Sequence, residues 1–406
     1  MIDPEDRFWA DGQCYFGSSD NPKTEFQCHV WDWDQLRVVK IKGTAKLFKE
    51  DEDIELGVFA PLADYLSPEV RSITVNDDGL LIAVSNDLEE DDAPYVAYPA
   101  FALCESLSHC TKVQHSELQE VDRLGPFVDH VSYNDECGTP HKAVFKYNVM
   151  DKPLRLQMAW DEINILSLLP PHPNILPLDH IVVEGDESRV LGFTTRYIPG
   201  GTLANPKITF RFEWLRQLTQ VVDYLNVELG IMHQDIAPRN LLIDDETDKI
   251  LLFDFDRAAS GKKNLSDGRD DVTAVAFTLY QLITNDKSFS QILHWDRTVD
   301  MVQNISEWPT HRPLDAEVSE FRNFLNEWIA TRSDGDMERY LNAPCRFTWP
   351  DRPELPEYNV PFQLGTFEDG KPYMTTGPRC RRTAMKLGQY CFRWERPPQI
   401  RLSKAE

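Results

Sequence analysis

Between residues 231 and 256 the chain sets a few polar groups among short apolar runs, and few folds accommodate that pattern. The stretch reads Ile-Met-His-Gln-Asp-Ile-Ala-Pro-Arg-Asn-Leu-Leu-Ile-Asp from 231 to 244 and resumes as Phe-Asp-Phe-Asp at 253 to 256. A short loop followed by an apolar strand holds Asp235 and Asn240 rigidly, and the next apolar strand delivers Asp254 beside them. Carboxylate and amide oxygens held this way suit a hard cation such as magnesium. Phosphoryl transfer needs little more from a protein than an oriented acceptor hydroxyl and neutralised phosphate charge.

The spacing of His233, Asp235, Asn240 and Asp254 resembles the catalytic loop and metal aspartate of the protein-kinase superfamily. The resemblance extends in both directions. Ala-Val-Phe-Lys at 143 to 146 is similar to the strand carrying the phosphate-binding lysine, and Glu162, which opens Glu-Ile-Asn-Ile-Leu, is similar to the helix glutamate that pairs with it. Glu162 and Leu166 share one helical face, and Leu166, Phe255 and His233 match an internal apolar column. Thr195 to Gly201 resembles the adenine-reading hinge. Asp271 to Tyr280 resembles the large-lobe helix whose first aspartate braces the catalytic loop. These matches fall in the family's order.

The resemblance implies ATP and Mg as cofactors, with Asp235 as the catalytic base, Asn240 and Asp254 as metal ligands, and Lys146 held by Glu162 against the phosphates. By position, Val144 forms the roof of the adenine pocket, Thr195 its back, Leu242 its floor, and Ile198 offers its backbone to the base. The glycine-rich loop keeps only Gly125, in Leu124-Gly-Pro-Phe-Val-Asp-His-Val131. Backbone approaches phosphates most closely where side chains are absent, so this cradle is expected to be weak, and Asp129 within it is expected to repel the nucleotide. Gln234 replaces the arginine on which a phosphorylated activation loop docks. Asp256 replaces a glycine, either restraining the segment or adding a third acidic ligand. Asp254 to Asp271 spans only 17 positions and contains no Ala-Pro-Glu, so most of the family's peptide platform is missing. Small-molecule phosphotransferases have a similarly short link.

A formal net charge of −25 argues against general nucleic-acid binding. The charge is uneven, with 25 acidic and 9 basic side chains in residues 1–120 and 2 acidic and 9 basic in residues 371–406. Two readings stand: separately solvated surfaces, or a basic tail attracted to an acidic N-terminal segment. The scattered cysteines fit reduced thiols. The acidic opening residues lack a signal-peptide core, and no apolar run is long enough to span a bilayer, so a cytoplasmic or nuclear location without membrane contact is expected.

The fold expected is α+β: a two-lobed protein-kinase-like domain over residues 121–335, with a mainly β small lobe and a mainly α large lobe. An acidic N-terminal extension over 1–120 contains strands, including a hairpin through Ile73–Val75 and Leu80–Val84. A proline- and aromatic-rich basic tail over 336–406 lies across the domain. Leu215, Leu218, Val222, Leu225 and Leu229 predict an amphipathic helix over 212–229, capped by Gly230. The function expected is that of an atypical serine/threonine protein kinase. A pseudokinase scaffold binding a protein partner and a small-molecule kinase are the alternatives.

Overall fold

The computed structural model describes residues 2–16, 25–48, 54–135, 137–332, 335–353, 361–366, 372–376 and 380–400. It is a mixed α+β, two-lobed structure. Five strands form the first sheet in sequential order: β1 (Phe8–Phe16), β2 (Glu25–Asp32), β3 (Arg37–Thr44), β4 (Ser72–Val75) and β5 (Leu81–Ser85). The alternation of β2 sends Phe26, Cys28 and Val30 to one face, where they bury against Phe59, Leu66 and Ile73. On the opposite face Trp31 and Trp33, with Val38 of β3, join a second core with Val131, Tyr133, Phe145 and Tyr147. The N-terminal segment is therefore packed into the small lobe by shared apolar area.

The small-lobe sheet contains β6 (Lys112–Gln114), β7 (Gln119–Gly125), β8 (Val128–Asn134), β9 (Pro140–Tyr147), β10 (Leu178–Glu184) and β11 (Arg189–Arg196), in the order β6-β10-β11-β9-β8-β7. Register fixes which side chains face the cleft. Val128 opposes Lys146, and His130 opposes Val144, which in turn opposes Thr195. Asp129, Val131, Phe145 and Tyr147 point the other way, towards the N-terminal sheet.

Two short helices, α1 (Ala45–Phe48) and α2 (Ile54–Phe59), belong to the N-terminal sheet, and α3 (Pro153–Leu168) crosses the small lobe. Its residues Trp160 to Leu166 are all buried, polar and apolar alike, because neighbours surround it on every side. In the large lobe, α4 (Phe212–Asp223) and α5 (Asp271–Thr284) pack with α6 (Asp300–Gln303) and α7 (Val318–Arg332). The predicted 212–229 helix is α-helical only to Asp223. Residues Tyr224–Glu228 form a π turn, and Gly230 follows at φ +63°. The apolar stripe survives, since Leu215, Leu218, Val222 and Leu225 are all buried in the main core.

After α8 (Asp336–Leu341), residues 347–352 run beside α3. The tail closes with a pair of strands, Pro361–Thr366 and Pro372–Thr376, the helix α9 (Arg381–Lys386) and an extended segment to 398. Trp394 stacks on Tyr147 at 4.5 Å and donates its indole N–H to the Tyr98 hydroxyl at 2.9 Å. Arg381 pairs with Asp91 at 2.8 Å, Arg382 with Asp92 at 3.1 Å, and Lys386 with Glu89. The basic tail is thus attached to the acidic segment, the second of the two readings of the charge pattern. Among the described residues no helix is long and apolar enough to cross a membrane.

Candidate active site

The loop between β12 (Ile231–Met232) and β13 (Leu241–Asp244) is built around a buried carboxylate. Asp271, first residue of α5, accepts the His233 and Gln234 backbone N–H groups and the Asn226 amide, each at 2.8 Å. These bonds hold Gln234 at φ +62°. The bend presents Asp235 to the cleft, with its side chain 15% exposed. Asn240 donates its amide to the Asp235 carbonyl at 2.8 Å and to Oδ2 at 3.0 Å. Arg239 donates to both Asp235 oxygens at 2.7 Å.

The hairpin of β13 and β14 (Lys249–Leu252) delivers Asp254 in the left-handed region, at φ 68°. The His233 imidazole bonds the Phe253 carbonyl at 2.9 Å and meets the Phe255 ring edge-on at 4.7 Å. Leu166 and Phe255 share the same core. Above them, Lys146 Nζ lies 2.7 Å from Glu162 Oε2 and also contacts Asp254. Glu162 further accepts the Phe255 N–H at 3.1 Å. Burial alone would lower the Lys146 pKa, but Glu162 and Asp254 outweigh it and hold the amine protonated. Burial pushes the Glu162 carboxyl up to about 7 against the pull of Lys146, with Asp254 and Asp256 adding repulsion.

Three carboxylates thus face one ammonium, and one buried oxygen of Asp256 has no hydrogen-bond partner among the described residues. An excess of buried negative charge with an unsatisfied oxygen fits a divalent cation. Both side-chain hydrogen bonds of Asn240 use its amide nitrogen, so Oδ1 is open to a cation. Among the described residues no three His, Cys, Asp or Glu side chains form a ready-made metal cage.

The adenine positions gather more loosely. Val144 and Leu242 are half-buried, and Thr195 is buried opposite Val144. Ile198 packs with Leu176 and Leu251. His130, beside Val144, lies flat on Tyr197 of the hinge at 3.9 Å and 11°. That stack joins β8 to the residue that follows β11, and no motif in the sequence announced it.

One expectation about the glycine loop is corrected. Gly125 pairs with Val128 across a two-residue turn, Pro126-Phe127, in a tight hairpin. Phe127, at φ 66°, packs edge-on against Trp33 of the N-terminal sheet at 5.1 Å. Asp129 does not face the nucleotide cleft. It is buried on the far side, taking hydrogen bonds from Arg396 at 2.6 Å and the Tyr147 hydroxyl at 2.9 Å. Burial raises its pKa, with Arg396 opposing.

Gln234 also has a structural role that the sequence concealed. Its side-chain amide donates to the Arg257 and Asn264 carbonyls at 2.5 and 2.9 Å, and its oxygen accepts the Ser266 N–H at 2.7 Å. Neutral hydrogen bonds therefore fasten the segment after Asp254. Asn264 continues to Asp161 on α3 at 2.7 Å, and Asp161 also accepts the Trp349 indole N–H at 2.6 Å. The Glu162 helix is braced from both this segment and the tail.

Comparison with known proteins agrees with this architecture. Residues 133–280 match the family model described as protein kinase domain. Over 113 residues the chain is 32% identical to casein kinase II subunit alpha' of Saccharomyces cerevisiae, covering 26% of this chain and 31% of that protein. It is 29% identical over 133 residues to CBL-interacting serine/threonine-protein kinase 5 of Arabidopsis thaliana, covering 31% and 28%. A third relative, ribosomal protein S6 kinase alpha-6 of Danio rerio, is 31% identical over 121 residues, covering 27% and 16%. The chain therefore spans less than a third of the length of each. Residues 133–280 are therefore similar to a protein kinase domain, within a two-lobed α+β structure.

Proposed function

We propose that the chain is an ATP- and magnesium-dependent phosphotransferase acting on a protein hydroxyl, with serine or threonine as acceptor. The observation that carries this reading is the convergence of Lys146, Glu162, Asp235, Asn240 and Asp254 on one cleft, with the lysine already paired to both carboxylates. The serine/threonine kinase names among the relatives support the choice of acceptor.

ATP would supply the transferable phosphoryl group, and Asp254 with the Asn240 amide oxygen would hold magnesium, which would supply neutralisation of the phosphate charge. The protein's own part is positioning. Asp235 orients the acceptor hydroxyl and takes up its proton, while Arg239 and Asn240 fix the carboxylate rotamer. Lys146 holds the phosphates and is kept charged and in place by Glu162. Val144, Thr195, Ile198 and Leu242 bound the base, and Asp256 stands where a second acidic contact to the cation is available.

A partner-binding pseudokinase is the second reading, favoured by the His130–Tyr197 stack and the closed Pro126–Phe127 turn. Mg-ATP separates the two. A ligand that binds only the folded state stabilises it by RT ln(1 + [L]/Kd) and so raises the melting temperature. Millimolar Mg-ATP is expected to stabilise the chain, and Asp254→Asn to remove most of that gain. No shift in the parent chain favours the scaffold.

A further inference from the structure

Beside Asp235, on the side away from Lys146, lies a cavity of about 400 Å³. It is formed where the family-like peptide platform is missing. Residues following α5 fold back to make its outer wall, and Gly268 permits the approach: a Cβ there would lie 2.3 Å from Trp295 Cα. Its inner wall is the start of α5, including Thr273 and Phe277.

The charge of this wall is out of character with the molecule. The chain carries 67 acidic and 42 basic side chains, so an arginine usually has a carboxylate at hand. Arg239, Arg269, Arg297 and His294 all line this cavity, with Arg257 just behind it. Among the described residues Arg257, Arg269 and Arg297 pair with no carboxylate. Arg269 donates to the Gln234 carbonyl at 3.2 Å, and Arg297 to the Ile292 carbonyl at 2.9 Å. The nearby acids are engaged elsewhere. Asp270 caps α5 through the Thr273 N–H at 2.7 Å, and Asp286 accepts from Tyr280 and Ser288. Burial and then the charge of Arg257 lower the Arg269 pKa; Asp235 opposes them, and Arg297 and Arg239 add to the lowering. The cations are therefore close enough to repel one another, which costs stability unless an anion enters.

We infer that this cavity is the acceptor-recognition site and that it selects a peptide hydroxyl flanked by an anionic group, either a carboxylate or a phosphate already present on the substrate. The inference rests on the phosphotransferase reading for its use, but not for the binding itself. Guanidinium groups match both anions with paired N–H donors. The cavity volume lies in the range of small-ligand sites, room for a few residues and not for a folded surface. Because Arg257 and Arg269 touch neither the reacting hydroxyl nor Asp235, they are positioning and specificity residues.

The test uses the full chain, Mg-ATP and serine peptides that differ only in flanking residues: aspartate, phosphoserine, alanine or lysine. Aspartate and phosphoserine peptides are expected to exceed the alanine peptide in kcat/KM by on the order of tenfold or more, the worth of one charged hydrogen bond. The lysine peptide is expected to fall below it. Arg269→Gln and Arg257→Gln are expected to erase the preference by raising the KM of the aspartate and phosphoserine peptides towards that of the alanine peptide, and Arg269→Lys to retain part of it. A preference for lysine, an anionic preference that survives both variants, or turnover of small phosphorylated metabolites alone would overturn the inference. Fluorescence anisotropy of a labelled phosphopeptide on the Asp235→Asn chain reads binding without chemistry. Arg-dependent binding with no transfer by the parent chain leaves the inference standing and removes the phosphotransferase reading. Transfer that ignores flanking charge does the reverse.

Discussion

Replacing Arg396 by methionine should detach the C-terminal strap while keeping most of the side chain's volume. The guanidinium donates to Asp129 at 2.6 Å, to Glu120 at 3.2 Å and to the Asp34 carbonyl at 2.9 Å. The Arg396 side chain is 12% exposed and that of Asp129 only 6%. Removing one partner of so buried a pair costs about 3–5 kcal/mol, because the other charge is left unpaired. Methionine preserves the apolar stem, so little of this loss is packing. Glu120 is more exposed, at 23%, and adds little. A loss of about 3 kcal/mol is therefore expected in urea unfolding. Asp129→Asn in the Arg396→Met background should recover a large part of it, giving a coupling of roughly 2 kcal/mol in the double-mutant cycle. Limited proteolysis should cut near Trp394 in the single variant first. Additive effects below about 0.5 kcal/mol each would refute the burial argument. So would tighter Mg-ATP binding in Asp129→Asn, because it would put that carboxylate in the nucleotide cleft.

Gln234→Ala removes three hydrogen bonds from the 257–266 segment, so amide exchange there should accelerate several-fold or more. Phosphatase treatment of the parent chain, by contrast, should leave any transfer rate unchanged. His130→Val dissolves the stack on Tyr197, and Mg-ATP affinity by calorimetry should rise by roughly threefold to tenfold, the worth of about 1 kcal/mol of aromatic contact; unchanged affinity would show that the pair lies outside the nucleotide path. Burial raises the Asp92 pKa, but His29 and Lys40 outweigh it and draw the carboxyl down to about 2. Its stabilisation is present above the unfolded value near 4 and is lost as pH falls to about 2, a change of roughly 2 kcal/mol. Asp92→Asn should flatten that part of the acid-unfolding curve, and an unaltered curve would remove Asp92 from the linkage.

The parts legible in the sequence were those encoded locally. The Asp235–Asn240 loop and Asp254 lie within one short loop-and-hairpin stretch, so spacing alone brought them together. Lys146 and Glu162 are legible only through their resemblance to the kinase strand and helix, since neither residue stands out in its own local pattern. The Arg396–Asp129 bond joins residues 267 apart, and nothing in either local pattern points to the other; charge imbalance revealed the attraction but not the contact. The same distance hid Trp349 against Asp161. The orientation of Asp129 was misread because the two-residue turn after Gly125 sets the strand register, and one position of register reverses a side chain's face. Helix α3 lacked a clean apolar stripe because the tail, the Asn264 segment and both lobes enclose it. Gln234 looked like a simple loss of arginine, while the structure gives it three bonds that an amide alone can make.

The most direct measurement is transfer of the γ-phosphate from labelled ATP to serine peptides by the full chain, with magnesium, beside its Asp235→Asn variant. The account predicts measurable transfer by the parent and a fall of roughly two to four powers of ten in the variant. Mg-ATP stabilisation should be nearly unchanged, because Lys146, Asn240 and Asp254 remain. Equal transfer by both chains, or no transfer by a parent chain that binds Mg-ATP normally, would contradict it.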